Sequence, residues 1–254
     1  MEAKQLIPAH SPKRTPGSSD GGVLYVSEFF FDTIQGEGIH LGHPSAFLRL
    51  QHCTLDCIWC DTNEVWRQGN PYSFAELYNL MATSELKDKL KAGQHLILTG
   101  GSPLLQQSKL IKFIHAFIDH AGFKPYIEIE NECVLLPDDE IIPLIDCWNN
   151  SPKLENSGNS RFNRYDPDII RDTALLTNSW FKFVITERCD WAEIEEEFLE
   201  PGLIRRNQII LMPEGTTREE LTAHTEMVVE LAIRENVLYR SREHITLWNK
   251  MTGI

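Results

Sequence analysis

The chain has 254 residues, and 42% of them are hydrophobic, which is enough apolar material for a packed core and excludes a wholly disordered protein. A formal charge of −13, from 24 basic and 37 acidic residues, argues against a broad nucleic-acid-binding face. No apolar run reaches the length of about 18 residues that a membrane-spanning helix needs.

Residues 1–22 are rich in Ser, Pro and Gly and carry no apolar core of the signal-peptide type, so a disordered tail is expected there, ahead of one domain over 23–254. The absence of a secretory signal points to a cytoplasmic protein. Runs at 24–31 and 46–50 read as the first two strands. Ser73 with Glu76 forms a capping box, and Phe74, Leu77, Tyr78 and Met81 then make a helical stripe. A short β-type run at 95–99 ends in Gly100-Gly101, and Leu110, Ile111, Ile114, Phe117 and Ile118 mark the next helix. Strands follow at 126–130 and 144–148. The polar stretch 155–168 reads as a loop placed to cover an active site. A strand at 181–186, a helix started by Asp190 with Glu193, a strand at 208–212, a helix started by Thr217 with Glu220 and a strand at 244–248 complete the pattern. Such alternation predicts an α/β fold with a largely parallel sheet.

Three of the six cysteines, Cys53, Cys57 and Cys60, fall within eight residues in a segment that follows the second strand. Without a secretory signal, that cluster points to metal binding or redox chemistry rather than to disulfides. Three thiolates suit either a zinc site completed by His52 or a distant residue, or a [4Fe–4S] cluster with one iron left open for a ligand. Spacing alone leaves both open.

The neighbouring motifs resolve the choice by resemblance. Cys53-x3-Cys57-x2-Cys60 followed by Asp61-Thr62 resembles the cluster loop of radical S-adenosylmethionine enzymes. Gln35-Gly-Glu-Gly38, Arg49, Thr99-Gly-Gly-Ser-Pro103, Glu128-Ile-Glu-Asn131, Ser151-Pro-Lys153, Leu211-Met-Pro-Glu-Gly215 and Arg242-Glu-His244 resemble the 7-carboxy-7-deazaguanine synthase family. The resemblance implies a partial (β/α) barrel with its chemistry at the C-terminal ends of the strands. It implies a radical-mediated ring contraction of 6-carboxy-5,6,7,8-tetrahydropterin to 7-carboxy-7-deazaguanine with loss of ammonia, in queuosine or 7-deazapurine biosynthesis. Glycyl-radical-activating enzymes share the cysteine spacing and stand as the alternative, together with a non-catalytic zinc-binding module; Gln35-Gly-Glu-Gly38 and Arg49 argue against the first.

The resemblance also distributes roles. Cys53, Cys57 and Cys60 would hold the [4Fe–4S] cluster and Thr62 would contribute to a Mg²⁺ site. Ile34, Gln35, Gly36, Arg49 and Thr99 would meet the pterin. Trp59, Cys60, Asp61, Gly101, Glu128, Ser151, Pro152, Lys153, Leu211, Met212, Pro213 and Glu214 would meet S-adenosylmethionine. The Gly100-Gly101 loop would take its methionyl amino group, although Ser102 stands where the superfamily usually has Glu. Glu128 and Glu130, two apart on a strand, should share a face, with the choice between them as the ligand contact left open. Arg49, in an otherwise apolar strand, demands an anionic partner, either a substrate carboxylate or a structural ion pair. His40, His43, His52, His95, His115, His120 and His224 lack ligand-type spacing and read as structural or surface residues. The family further implies an electron donor such as flavodoxin or ferredoxin and a homodimer.

Overall fold

The computed structural model describes residues 3–15, 22–249, 251 and 253. Ten strands share one sheet: β1 (Lys4–Ile7), β2 (Val23–Ile34), β3 (Pro44–Leu50), β4 (Asn70–Ser73), β5 (His95–Gly100), β6 (Ile127–Asn131), β7 (Cys147–Asn150), β8 (Ser179–Ile185), β9 (Ile209–Pro213) and β10 (Leu238–Tyr239). The order is β1-β2-β3-β5-β6-β7-β8-β9-β10, with β4 also paired to β2. β2 runs antiparallel to β1, β3 and β4. From β3 to β10 the remaining pairs are parallel, and the sheet does not close on itself, as expected for a partial barrel.

Strand alternation sorts the residues into two environments. Leu96, Leu98, Ile127 and Ile129 point outward into a core shared with the helices Phe74–Thr83 and Gln107–Ala121. Phe181, Phe183, Ile185 and Leu211 do the same beneath the helix Arg218–Glu235. Their alternating neighbours include the polar or charged Arg49, Thr99, Glu128, Glu130, Asn149 and Lys182 and the apolar Ile97, Val184, Ile210 and Met212. The sheet therefore encloses a lumen of mixed polar and apolar lining between apolar outer walls. Among the described residues no helix is long and apolar enough to cross a membrane.

Both capping boxes form as expected. Ser73 and Glu76 exchange side-chain and backbone hydrogen bonds, as do Thr217 and Glu220. Asp190 acts differently from the expected cap. Its carboxylate accepts from the backbone N–H groups of Thr186 and Glu187, from Thr186 Oγ1 and from Asn156 Nδ2, so it secures the end of β8, and Cys189 takes the N-cap position.

Four other expectations need correction. Residues 4–7 of the expected tail form β1, and the segment after it is held as well: Arg14 lies 4.1 Å over the Tyr72 ring and pairs with Glu76. Residues 16–21 of that tail lie outside the described residues. The strand expected at 144–148 begins only at Cys147, because Pro143 favours the short 3-10 turn Ile142–Leu144. The loop expected at 155–168 contains the short helix Arg161–Arg164 and the start of Pro167–Ala174, whose N-cap Asp166 accepts from the N–H groups of Asp168 and Ile169. The strand expected at 244–248 is the helix Glu243–Trp248. Its residues have β-forming character, but Glu243 N–H donates to Gly36 O at 2.8 Å and Thr246 N–H to Arg242 O at 3.1 Å, which closes a helical turn instead.

Thr217→Ala should destabilise the protein by about 1 kcal/mol, read as a lower denaturation midpoint, whereas Thr217→Ser should be close to neutral.

Candidate active site

The loops at the C-terminal ends of β2, β3, β5, β6 and β7 surround one cavity, which also receives β8, β9 and the helix Glu243–Trp248. Cys53, Cys57 and Cys60 all line it and are all partly buried. His52, the nearest imidazole in sequence, is exposed and does not line the cavity.

Each sulfur receives hydrogen bonds from the protein. Ser102 Oγ reaches Cys53 Sγ at 3.4 Å, Asn159 Nδ2 reaches Cys57 Sγ at 3.2 Å and Trp66 Nε1 reaches Cys60 Sγ at 3.4 Å. Donors aimed at sulfur stabilise thiolates and tune a cluster. Without an ion, burial pushes the Cys53 and Cys57 thiols up. The polar segment that starts at Glu155 lies over this loop: Ile58 N–H donates to Ser157 O at 3.0 Å and Trp59 Nε1 to Asn156 O at 3.0 Å. Gly101 brings β5 against the loop so closely that a Cβ there would sit 2.2 Å from His52 O. Only glycine permits this approach.

Beside the cysteine loop, an ion network joins five segments of the chain. Lys182 Nζ lies 2.9 Å from Glu37 and 2.6 Å from Glu130; Arg242 lies 2.9 Å from Glu37 and 2.6 Å from Asp61. Burial opposes ionisation, yet Lys182 and Arg242 hold Glu37 well below the usual carboxylate range, and Arg242 with His244 does the same for Asp61. Burial alone is not offset at Glu130, whose carboxyl is raised. Gln35 Nε2 donates to Glu130 Oε1 at 3.2 Å, which fixes the amide at the cavity wall. His244 covers Gly36 so tightly that a Cβ there would sit 2.3 Å from Nδ1.

Most residues singled out in the sequence line this cavity: Ile34, Gln35, Gly36, Arg49, Thr99, Trp59, Asp61, Thr62, Gly101, Ser151, Lys153 and Met212 join the cysteines there. Of the two alternatives for Arg49 the structure shows the ion pair, Nε to Glu28 Oε1 at 2.7 Å, and the residue also lines the cavity. Lys153 Nζ donates to Ser151 Oγ at 2.7 Å and lies 5.6 Å from the centre of the Trp59 ring.

Glu128, Pro152, Leu211, Pro213 and Glu214 do not line the cavity. Leu211 faces the outer core, since adjacent strand residues cannot share a face, and Glu214 sits on a neighbouring surface groove. Glu128 is fully buried near the opposite end of its strand. It accepts from His95 Nδ1 at 2.6 Å and Asn149 Nδ2 at 2.7 Å, and faces His40 Nδ1 at 3.2 Å. These partners hold its carboxyl down to about 2 against the cost of burial. His40 and His95 therefore have a structural role, with His43 stacked 3.6 Å from the His95 ring.

Sequence reasoning missed Glu37, Glu132, Lys182, Arg242 and His244 as cavity residues. Lys182 carried a signal, being a lone charge between Phe181 and Phe183. Glu132 continues the alternation of Glu128 and Glu130 past the end of the strand.

A family model described as "4Fe-4S single cluster domain" matches residues 34–129. The 7-carboxy-7-deazaguanine synthase of Pyrobaculum aerophilum is 30% identical over 227 residues, covering 88% of this chain and 94% of its own. That of Halobacterium salinarum is 29% identical, covering 93% and 95%. The chain belongs to the 7-carboxy-7-deazaguanine synthase family. The crystal structure of QueE from Escherichia coli has the same fold, with a TM-score of 0.62 at 20% identity over 87% of this chain and 95% of that one.

Replacing Arg242 by Met should leave Asp61 facing only His244 and Glu37 held only by Lys182, and cost about 3 kcal/mol near neutral pH. The native pair contributes stability above the ordinary carboxylate range, and that contribution fades as pH falls through this range towards the depressed native values. In the variant both carboxyls take up protons at higher pH, so the deficit should shrink on acidification. Denaturation midpoints at neutral pH and at about pH 4 check this.

Proposed function

We propose that this protein converts 6-carboxy-5,6,7,8-tetrahydropterin to 7-carboxy-7-deazaguanine with loss of ammonia, as a radical S-adenosylmethionine enzyme. The observation that carries the reading is the convergence, in one cavity, of three hydrogen-bonded cysteine sulfurs with Gln35, Arg49 and Thr99. When bound, the cluster and S-adenosylmethionine supply one-electron chemistry and hydrogen abstraction, which no side chain can perform.

The chain's own residues bind, orient and exclude water. Cys53, Cys57 and Cys60 hold the cluster, and Asn159, Ser102 and Trp66 direct their polar hydrogens at its sulfurs. Lys153 offers positive charge to the carboxylate of S-adenosylmethionine, while Trp59, Val184 and Met212 give an apolar wall for its adenosine. Arg49, with one edge held by Glu28, presents the remaining guanidinium N–H groups to the pterin carboxylate. Gln35, held by Glu130, meets the mixed donor and acceptor edge of the pterin. Lys182 keeps its proton between Glu37 and Glu130, so the wall beneath the substrate stays charged yet paired.

Thr62 is the expected Mg²⁺ ligand. Its hydroxyl lines the cavity with only a 3.9 Å contact to Cys60 Sγ, which leaves the oxygen available to a cation completed by substrate and water. Glu37, Asp61 and His244 also approach one another, but Arg242 already supplies the positive charge between these carboxylates. A flavodoxin or ferredoxin as electron donor, a homodimer and a cytoplasmic setting complete the proposal by analogy with the family.

The test is anaerobic reconstitution with iron and sulfide, followed by dithionite, S-adenosylmethionine, Mg²⁺ and the carboxytetrahydropterin, with product detected by mass. A competent cluster that leaves the pterin unchanged would overturn the substrate assignment. Cys57→Ala should abolish cluster absorbance, whereas Cys133→Ala should retain it, because Cys133 is buried away from the cavity. Arg49→Lys should raise KM for the pterin at least tenfold while leaving cluster absorbance intact, since lysine cannot reproduce a bidentate fork already shared with Glu28.

A further inference from the structure

Glu132 lies just beyond β6, two residues after Glu130, where the strand's alternation carries its side chain to the lumen. It is only 5% exposed and lines the cavity. Oε1 accepts from Thr54 Oγ1 at 2.9 Å, and Oε2 is buried without any hydrogen-bond partner among the described residues. A carboxylate oxygen removed from water is costly unless a donor or cation reaches it. Lys153, the nearby cation, directs its Nζ to Ser151 Oγ instead. The open oxygen therefore calls for a cationic donor that comes from a ligand.

Ser102 cannot supply that acceptor. It is fully buried and does not line the cavity. Its Oγ accepts from Thr54 N–H at 2.9 Å, lies 3.1 Å from Thr54 Oγ1 and donates towards Cys53 Sγ at 3.4 Å. Ser102, Thr54 and Glu132 thus form a chain from the Gly100-Gly101 loop, across the cysteine loop, to the end of β6. A small residue at 102 leaves room, and the next strand brings a carboxylate into it.

We propose that Glu132 is the anionic anchor for the α-ammonium group of S-adenosylmethionine, replacing in space the glutamate that the superfamily usually carries at the position of Ser102. Thr54 holds the carboxylate through Oε1, which leaves Oε2 for the ammonium group. The inference rests on the reading of this cavity as a site for S-adenosylmethionine.

The test uses the full chain with its cluster, held anaerobic and without reductant, so that binding is measured apart from turnover. Calorimetric titrations compare S-adenosylmethionine with 5′-methylthioadenosine, which lacks the amino-acid group. Glu132→Gln should weaken S-adenosylmethionine about ten- to hundredfold and leave 5′-methylthioadenosine unchanged. Adding Ser102→Glu to that variant should restore most of the lost affinity. Unchanged S-adenosylmethionine affinity in Glu132→Gln overturns the proposal, and so does an equal loss for both probes, which would mark a merely structural role. Wild-type protein that binds neither probe would instead overturn the underlying assignment of the cavity.

Discussion

The buried pairing of Lys182 and Arg242 with Glu37, Glu130 and Asp61 is the constraint around which the cavity is organised. Five stretches distant in sequence meet there: the loop after β2, the cysteine loop, β6, β8, and the turn before the helix Glu243–Trp248. None of these charges would be tolerable alone in an enclosed lumen, because an unpaired buried ion is expensive. Together they oblige the chain to close the barrel mouth in one arrangement. Arg242 also donates to Gly215 O at 2.8 Å, so the loop after β9 is drawn into the same closure. The network makes the substrate wall rigid without removing its charge.

The lumen is stratified along the strand direction. At one end Glu128 is held by His95 and Asn149, with His40 Nδ1 3.2 Å away, and these groups close the floor. Glu130, Lys182 and Gln35 form the middle level, and Glu132 with the cysteine loop and Lys153 forms the mouth. Three glutamates at i, i+2 and i+4 thus stand at three levels of the lumen, Glu128 below the cavity and Glu130 and Glu132 lining it, with roles set by their partners. A carboxylate held down to about 2 in the floor and one raised in the middle differ only in their surroundings.

The fold class was legible in the sequence because strand and helix periodicities are local, and the capping boxes at Ser73 and Thr217 depend on four consecutive residues. The cysteine loop was legible for the same reason, being a short motif. What escaped depends on pairing across the chain. Arg242 meets Asp61 across 181 residues and Lys182 meets Glu37 across 145, and nothing in either neighbourhood announces the partner. The segment 244–248 was misread because its β-forming residues dock as a helix once Arg242 is fixed. Assigning the whole run 211–214 to the ligand ignored the alternation that sends only Met212 inward. At the other end of the chain, the Ser- and Pro-rich composition hid a four-residue edge strand.

The cover over the cysteine loop has a consequence for how the protein is made. Asn159 donates to Cys57 across 102 residues, and Gly158 is pressed so near Ile58 that a Cβ would come within 2.8 Å of its side chain. During synthesis the three thiols emerge well before the groups that enclose them. The cover is itself tied to the later helix by Arg164 and Glu193, 2.7 Å apart. The cysteine loop therefore acquires its final surroundings only after the second half of the sheet has folded. This leaves an interval in which the open loop is accessible to iron and sulfide delivery, and equally to oxidants.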